Sequence, residues 1–521
     1  MKANPILLEV FKNRFSSISE EMGVTLTRTA FSPNIKERRD LSCAVFDAEG
    51  DMIAQAAHIP VHLGSMPLSV KAAIEHTDFN EGDMVMLNDP FKGGTHLPDI
   101  TIVAPVFSGD NDKPSFYVAN RAHHADVGGM ASGSMPLSTS IFQEGIIIPP
   151  VKIVEKGDVS PNVMKLVLNN VRTPAEREGD FAAQIMANVI GTRRMSELIE
   201  KYGLEKVSFY AESLNDYSEK VMRSVINEIP DGQYDFSDFM DGDGVDFEDI
   251  VISVKLNVHG DEVELDFTKS APQVSGSINA VRSITLSSVL YVFRCLVGKD
   301  IPTNAGCMRP VSVITRPGTV LDALPPAAVA GGNVETSQRV VDVVLGALAK
   351  ALPGKIPAAS QGTMNNLAIG GVDERTGKPF AYYETLAGGM GATAHRNGES
   401  AVHSHMTNTL NTPVEALEYS YPFRVREYSV RRGTGGEGAN TGGSGMVREM
   451  ELLSGCEITV LSERRTRGAY GLEGGSEGVP GKNSVIRDGE TIAQPGKFHK
   501  HLKNGDIVRI ETPGGGGYGS K

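Results

Sequence analysis

Apolar residues near the start of the chain recur at helical spacing, and the stretch 7–22 has one apolar face. Asn4 is a suitable cap for this predicted helix, and Pro5 suits its first turn. The stretch 163–202 is also predicted to be largely helical. Short apolar runs between Gly, Asp and Pro turns predict buried strands at 43–46, 84–87, 100–106 and 116–119. The first part of the chain therefore mixes helices with short strands.

Apolar residues recur at every second position from Ile250 to Val258. A second set of alternating apolar residues, at 263, 265 and 267, follows the turn Gly260-Asp261. The two sets predict the paired strands of a hairpin with one buried face. Helices are predicted at 284–295 and 338–352, on either side of a loop rich in Pro and Gly. From about residue 360 helical periodicity is scarce and Gly is dense, so this part is predicted to be β-rich.

These patterns predict an α+β fold with three regions. Residues 1–205 form a mixed region, residues 206–360 form a central region of helices and the hairpin, and residues 361–521 form a β-rich, Gly-dense region. Gly accounts for 57 of the 521 residues, and it is concentrated in loops and in the turns of the last region. Such positions let the backbone approach its neighbours closely.

Composition excludes several classes of protein. The formal net charge is −14, from 50 basic and 64 acidic residues, which argues against binding to the phosphates of nucleic acid. The four cysteines form no C-x-x-C pair, which excludes a disulfide scaffold and a Cys-based zinc module. No apolar run is long enough to span a membrane, and the N-terminus has no targeting signal. We therefore expect a cytoplasmic protein that binds neither membranes nor nucleic acid.

Two local motifs are interpreted as structural. Asp241-Gly-Asp243-Gly lies in an acidic run but lacks the spacing and the terminal Glu of a calcium loop, so a solvated turn is predicted. The stretch 474–478 matches G-x-S-x-G, but no hydrophobic strand precedes it and no helix follows it. No Walker A sequence is present, so no nucleotide site is predicted in this chain.

Candidate chemistry is concentrated where two predicted strands meet their loops. The run from Asn88 to Asp99, which contains His96, follows one of these strands, and the run from Arg121 to Gly129, which contains His123 and Asp126, follows another. A His and an Asp three residues apart, joined by a later His, make a mixed nitrogen and oxygen ligand set that suits Zn, Mn or Fe. Asp40, before the predicted strand 43–46, could complete this set. The alternative is that the histidines are structural and the aspartates cap turns.

Other histidines are predicted to have structural roles. His58 and His62 are four residues apart, but Pro60 lies between them and makes a shared helical face doubtful, so we expect them to line a cavity or to be structural. His403 and His405 alternate as on a strand and could reach a ligand, although a structural placement is favoured.

Several motifs resemble those of the hydantoinase B/5-oxoprolinase family, and they follow the family order from about residue 5 to residue 519. They are Asn88-Asp-Pro-Phe-Lys-Gly-Gly-Thr-His-Leu-Pro-Asp99, His123-x-x-Asp126-x-Gly-Gly129, Pro302-x-Asn304-x-Gly-x-x-Arg309-Pro310, Gly331-Gly-Asn333-x-Glu335-Thr, Thr407-Asn-x-x-Asn-Thr-Pro413-x-Glu415 and Thr512-Pro-Gly-Gly-Gly-Gly-Tyr-Gly519. Relatives include B-type subunits of ATP-dependent N-methylhydantoin and lactam hydrolases, the C-terminal half of 5-oxoprolinase, and large subunits of acetone and acetophenone carboxylases.

The resemblance implies a two-component enzyme. A partner A-type subunit with an actin-like ATPase fold binds ATP and phosphorylates the substrate oxygen, and the B-type subunit completes the reaction with a metal-bound water. Carried over by motif, the ligands of a divalent metal (Zn, Mn or Fe) would be Asp40, His96, Asp99 and His123. His124 or Asp126 would be the general base. Which of the adjacent residues His123 and His124 binds the metal stays open.

The preferred function is therefore the B-type subunit of an ATP-dependent hydrolase that opens hydantoin, N-methylhydantoin, 5-oxoproline or a lactam. One alternative is a subunit of an ATP-dependent ketone carboxylase of the acetone or acetophenone type. Another is a non-catalytic assembly subunit with a structural metal. Because the chain ends close to the terminal Gly-rich motif of the family, we expect a separate subunit in a hetero-oligomer.

Overall fold

The computed structural model describes residues 3–56, 58–109, 112–246, 248–298 and 301–521. The helices are α1 (Pro5–Thr29), α2 (Pro33–Lys36), α3 (Met66–His76), α4 (Pro161–Leu168), α5 (Pro174–Tyr202), α6 (Leu204–Ile226), α7 (Arg282–Val297), α8 (Ser337–Ala351) and α9 (Val414–Ser420). The strands are β1 (Leu41–Asp47), β2 (Met52–Gln55), β3 (Met84–Leu87), β4 (Asp99–Val106), β5 (Phe116–His123), β6 (Val151–Glu155), β7 (Asp158–Val159), β8 (Gly232–Met240), β9 (Ile250–His259), β10 (Glu262–Asp266), β11 (Val311–Ile314), β12 (Asn366–Asp373), β13 (Lys378–Glu384), β14 (Phe423–Arg431), β15 (Gly445–Leu452), β16 (Cys456–Leu461), β17 (Lys482–Arg487), β18 (Glu490–Gln494), β19 (Lys497–Leu502) and β20 (Ile507–Glu511).

The N-terminal sheet has the order β2-β1-β5-β4-β3-β6-β7, and its neighbouring strands are antiparallel. Helices α1 and α5 pack against one face and α3 packs against the other, so β4 and β5 are buried on both faces. A strand covered on both faces favours apolar residues at successive positions, which explains the apolar runs at 102–106 and 116–119. The predicted N-terminal helix is confirmed, and the side chain of Asn4 accepts the backbone amides of Ile6 and Leu7.

The central region contains the predicted hairpin. Strands β9 and β10 pair with His259 opposite Glu262, and the sheet has the order β11-β10-β9-β8. Helix α8 packs on β8 and β9, and α7 packs on α8. The prediction of a solvated turn at 241–244 is wrong for Asp243. This side chain is buried and accepts the backbone amides of Val245, Asp246 and Gly276, because a distant loop covers the turn.

Strands dominate the chain after residue 360, as predicted. They form a sheet of order β13-β12-β16-β19 and a second of order β14-β15-β20-β17-β18, with the short α9 between β13 and β14. The α+β fold class is confirmed. The largest cluster of buried apolar side chains includes residues from all three predicted regions, and the boundaries near 205 and 360 stay predictions. Among the described residues, no helix is both long enough and apolar enough to cross a bilayer.

Candidate metal centre

The register of β4 and β5 brings together residues that are distant in the sequence. Asp99, the first residue of β4, lies opposite His123, the last residue of β5. His96 precedes Asp99 by one tight turn, in which the amide of Asp99 donates to the carbonyl of His96. The end of the sheet therefore presents an Asp and two His side chains to one point.

The three side chains converge in the interior. His96 Nε2 and His123 Nδ1 each lie 3.2 Å from Asp99 Oδ1, and 3.2 Å from one another. All three residues are at most 2% exposed. Charged and polar groups at this depth need partners, so the cluster must either share protons or hold a cation.

Asp40 lies near the cluster, which it contacts through its backbone and with which it shares a small cavity. Its carbonyl accepts the amide of His123 at 3.0 Å, immediately before β1. Asp40 lines a cavity of about 20 Å³ together with Asp99 and His123. Its carboxylate lies 4.0 Å from the Arg38 guanidinium, outside the convergent group of His96, Asp99 and His123. Asp40, Asp99 and His123 thus line one cavity, and His96 contacts Asp99 and His123 beside it.

His62 lines the same cavity, in line with the predicted cavity or structural role, although the sequence does not place it beside the predicted ligands. Its Nε2 lies 3.4 Å from Asp99 Oδ2, and its Nδ1 lies 2.9 Å from the hydroxyl of Ser42. A short 3-10 turn, Pro60–His62, turns the side chain inward. Pro60 argues against a shared helical face, but it begins the turn that places His62 at the site. His58, as predicted, lines a cavity.

Asn333 is a further residue of the site. It lies in the π-helical turn Gly332–Thr336, and its Nδ2 is 2.9 Å from His96 Nε2 and 3.4 Å from Asp99 Oδ2. Two residues before this turn, the carbonyl of Ala330 accepts a hydrogen bond from His96 Nδ1 at 3.1 Å. Asn333 stands in the motif Gly331-Gly-Asn333, which is the signal for it in the sequence.

The hydrogen bond to the carbonyl of Ala330 places a proton of His96 on Nδ1, so Nε2 is the ring nitrogen that faces the cluster. Burial alone would lower the pKa of His96, but the charge of Asp99 and its hydrogen bond raise it above its ordinary value. Burial would raise the pKa of Asp99, yet the charges of His96 and His62 and a hydrogen bond from His123 hold it well below its usual range. The centre therefore favours an ionised carboxylate with a positive charge beside it.

These features fit a divalent metal. Metal bonds of about 2.0–2.2 Å to nitrogen and oxygen place neighbouring ligand atoms about 3–3.5 Å apart, which is the spacing of this cluster. Nδ1 of His123 faces the other two ligand atoms, and burial lowers the pKa of this ring, so a neutral imidazole can coordinate through Nδ1. Two imidazoles and a carboxylate suit Zn, Mn or Fe.

The two predicted general bases have other partners. His124 Nε2 lies 2.9 Å from Gln184 Oε1, the ring stacks on Phe181, and burial with the nearby Arg177 lowers its pKa to about 4. Asp126 accepts the backbone amide and the guanidinium of Arg172 at 2.6 and 2.9 Å. Their assignment as general bases stays a prediction without geometric support.

The remaining histidines of interest are held by other groups, in line with a structural placement. His403 Nε2 lies 3.3 Å from Asn411 Oδ1, and His405 Nδ1 lies 3.3 Å from the hydroxyl of Tyr291. Ser476 lies in a loop, and the described structure has neither a strand directly before it nor a helix directly after it.

A family model described as Hydantoinase B/oxoprolinase matches residues 4–521, and the chain belongs to this family. It is 41% identical to 5-oxoprolinase 1 of Arabidopsis thaliana over 99% of its length, and it spans 42% of that protein. It is 31% identical to a putative B-type D-/L-hydantoinase subunit of a Pseudomonas species, covering 100% of this chain and 90% of that one. An uncharacterized protein of Methanocaldococcus jannaschii is 41% identical over 99% of this chain and 90% of its own length.

Two solved structures share the fold. The ATP-dependent caprolactamase from Pseudomonas jessenii superposes with a TM-score of 0.91 at 29% identity, over 100% of this chain and 92% of that one. An acetone carboxylase structure superposes with a TM-score of 0.90 at 18% identity, over 99% and 76% of the two chains. The predicted family resemblance is confirmed. The chain spans about two fifths of the length of the 5-oxoprolinases that it matches.

Proposed function

We propose that this protein is the B-type subunit of an ATP-dependent cyclic-amide hydrolase. An A-type ATPase subunit would phosphorylate the amide oxygen of a hydantoin, 5-oxoproline or lactam, and this chain would complete the ring opening. The observation that carries the proposal is the buried cluster of His96, Asp99 and His123 in a chain that resembles a caprolactamase over its whole length. The relative named as a separate hydantoinase subunit supports a partner chain.

The division of labour follows from the chemistry of amides. Resonance makes an amide carbonyl a poor electrophile, and phosphorylation of its oxygen removes that resonance and installs a leaving group. No Walker A sequence is present in this chain, so the proposal assigns ATP to the partner. What this chain must supply is a site that activates water and excludes bulk solvent.

Asp40, His96, Asp99 and His123 are the residues that would hold a divalent Zn, Mn or Fe ion. Such an ion would supply Lewis-acid activation of water. Ala330 orients His96 through its carbonyl, and the hydroxyl of Thr95 donates to Asp99 Oδ2 at 2.7 Å, so both ligands are fixed before substrate arrives. His62 contacts the same carboxylate oxygen and is placed to hold a proton there.

Co-purification with an A-type subunit provides the test. We expect ADP release and a ring-opened product with at least one of N-methylhydantoin, 5-oxoproline and caprolactam, without added bicarbonate. His96→Ala should remove the metal of the His96, Asp99 and His123 cluster together with product formation. A strict bicarbonate requirement would indicate a ketone carboxylase instead, and a partner that turns substrate over alone would indicate an assembly subunit. Turnover equal to wild type, with no loss of bound metal relative to wild type, in His96→Ala would disprove the site.

A further inference from the structure

A second group of side chains with metal-ligand chemistry lies on the C-terminal sheet. His499 and His501 are two residues apart on the edge strand β19, so both side chains point to the same face. Across the ladder, His501 lies opposite Glu457 and His499 lies opposite Thr459 of β16. One potential ligand atom from each of Glu457, His499 and His501 lies within 4.8 Å of the other two.

Hydrogen bonds orient two of these three side chains. His499 Nδ1 lies 2.9 Å from the hydroxyl of Thr459, which fixes the ring and leaves Nε2 available to a ligand. That nitrogen lies 3.9 Å from Glu457 Oε2. Histidines that bind metals are commonly held through the other ring nitrogen in this way, because the hydrogen bond sets both the tautomer and the ring orientation.

Glu457 is held by a different part of the chain. Its Oε1 accepts the backbone amide of Ser132 at 2.7 Å, so Oε2 is the oxygen that faces His499. Ser132 packs closely on Gly370 of β12, where any side chain on Gly370 would collide with it. Burial alone would raise the pKa of Glu457, but the hydrogen bond from Ser132 and the charge of His499 hold it below its usual range. The carboxylate is therefore ionised and fixed in place.

We propose that Glu457, His499 and His501 form a second divalent-metal site. Two imidazoles and one carboxylate select zinc or a similar ion that prefers nitrogen ligands, and the exposed side of the site leaves positions for water. The side chains of His499 and Glu457 are 32% and 21% exposed, so an ion can reach them without opening the fold. A bound ion would tie the edge strand β19 to β16 and, through Ser132, to the loop before residue 135.

Zinc titration of the metal-free protein by calorimetry tests this site. Wild type should bind one ion at each of the two clusters. The double variant His499→Ala/His501→Ala should lose one of the two binding events and keep the other, whereas His96→Ala should show the opposite loss. His395→Ala, which removes an exposed His elsewhere, should match wild type.

The outcomes separate this site from the proposed catalytic function. The proposal would be overturned if the double variant bound as much zinc as wild type does. It would also be overturned if His96→Ala bound no zinc at all. Circular dichroism of the double variant should match wild type, because both histidines lie on the outer face of an edge strand. Turnover assays do not enter the test, so failure of either proposal leaves the other standing.

Discussion

The phenol ring of Tyr383 stacks on the imidazole of His123, with ring centroids 4.6 Å apart and an angle of 15° between their planes. The same ring lies under the guanidinium of Arg38, 5.0 Å from its centroid, and its hydroxyl donates to Asn366 Oδ1 at 2.7 Å. Tyr383 comes from the C-terminal region, whereas His123 comes from the N-terminal sheet. The C-terminal region therefore completes the wall of the candidate metal centre and fixes the plane of one predicted ligand.

Replacing Tyr383 with Leu should weaken metal binding. Leu keeps apolar bulk in the buried position but cannot stack on the His123 ring. The imidazole can then rotate in the metal-free protein, and metal binding must overcome the lost rotational entropy. Loss of an outer-shell hydrogen-bond partner typically lowers metal affinity about 10- to 100-fold, and we expect a loss toward the lower end of that range for the stacking contact. Competition with a chromogenic chelator measures this affinity. Tyr383→Phe, which keeps the stacking and loses only the hydroxyl, should bind metal as wild type does. Equal affinities for wild type and Tyr383→Leu would show that the stacking has no positioning role.

The assignment of His123 rather than His124 can be tested with paired variants. His123→Ala should lose the metal of the candidate centre and turnover. His124→Gln should retain the metal but lower the free energy of unfolding by about 1–3 kcal/mol, because the buried hydrogen bond to Gln184 is disturbed. Elemental analysis and urea denaturation measure the two effects. If the metal were lost only in His124→Gln, His124 would be the ligand and His123 the structural residue.

The convergence of His96, Asp99 and His123 is accessible from the sequence because each residue adjoins a predicted strand. Once β4 and β5 are neighbours, the antiparallel register places the first residue of one against the last residue of the other. The local sequence pattern and one strand pairing are therefore enough to bring these three residues together. The same reasoning finds the hairpin at β9 and β10, where alternation and a short turn fix the register.

The position of His62 depends on long-range packing that periodicity does not encode. The turn that carries it connects β2 to α3, and only the assembled sheet places its imidazole against Asp99. Asn333 reaches the same carboxylate from 234 residues away in the chain. The sequence predicts a solvated Asp243, yet the backbone of Gly276 covers it. Contacts between separate loops are thus the part of the structure that local patterns cannot predict.

Gly332 should be intolerant of any side chain. A Cβ at this position would overlap the carbonyl oxygen of Asn279, so the turn that carries Ala330 and Asn333 would have to shift. Gly332→Ala should lower the free energy of unfolding by about 1–3 kcal/mol and weaken metal binding, because Ala330 orients His96.

Gly455→Ala is a matched control for this substitution. The nearest atom to a Cβ there would be the carbonyl oxygen of Leu502 at 3.8 Å, an ordinary contact in an exposed turn. Its stability and metal affinity should therefore equal those of wild type. If Gly332→Ala were as stable as this control, the turn at Gly332 would accommodate a side chain without a loss of stability.

Glu144 should make the stability of the protein depend on pH. Burial raises the pKa of this carboxyl to about 7, even though the amides of Val329 and Ala330 donate to it. In the unfolded chain its pKa returns to the ordinary value of about 4.5. The contribution of protonated Glu144 to the free energy of unfolding is therefore fully present below about pH 4.5, and it is lost as the pH rises through about 7.

Between those two values the folded state binds a proton that the unfolded state has released, so the free energy of unfolding should fall by about 3 kcal/mol. Glu144→Gln cannot ionise, and urea denaturation at about pH 5 and about pH 8 should show a decline that is smaller by this amount. Glu490→Gln, at an exposed position, should keep the decline of wild type. The same pH dependence in wild type and Glu144→Gln would mean that Glu144 is ionised in the fold. In that case the segment that orients His96 would be held by a charged acceptor.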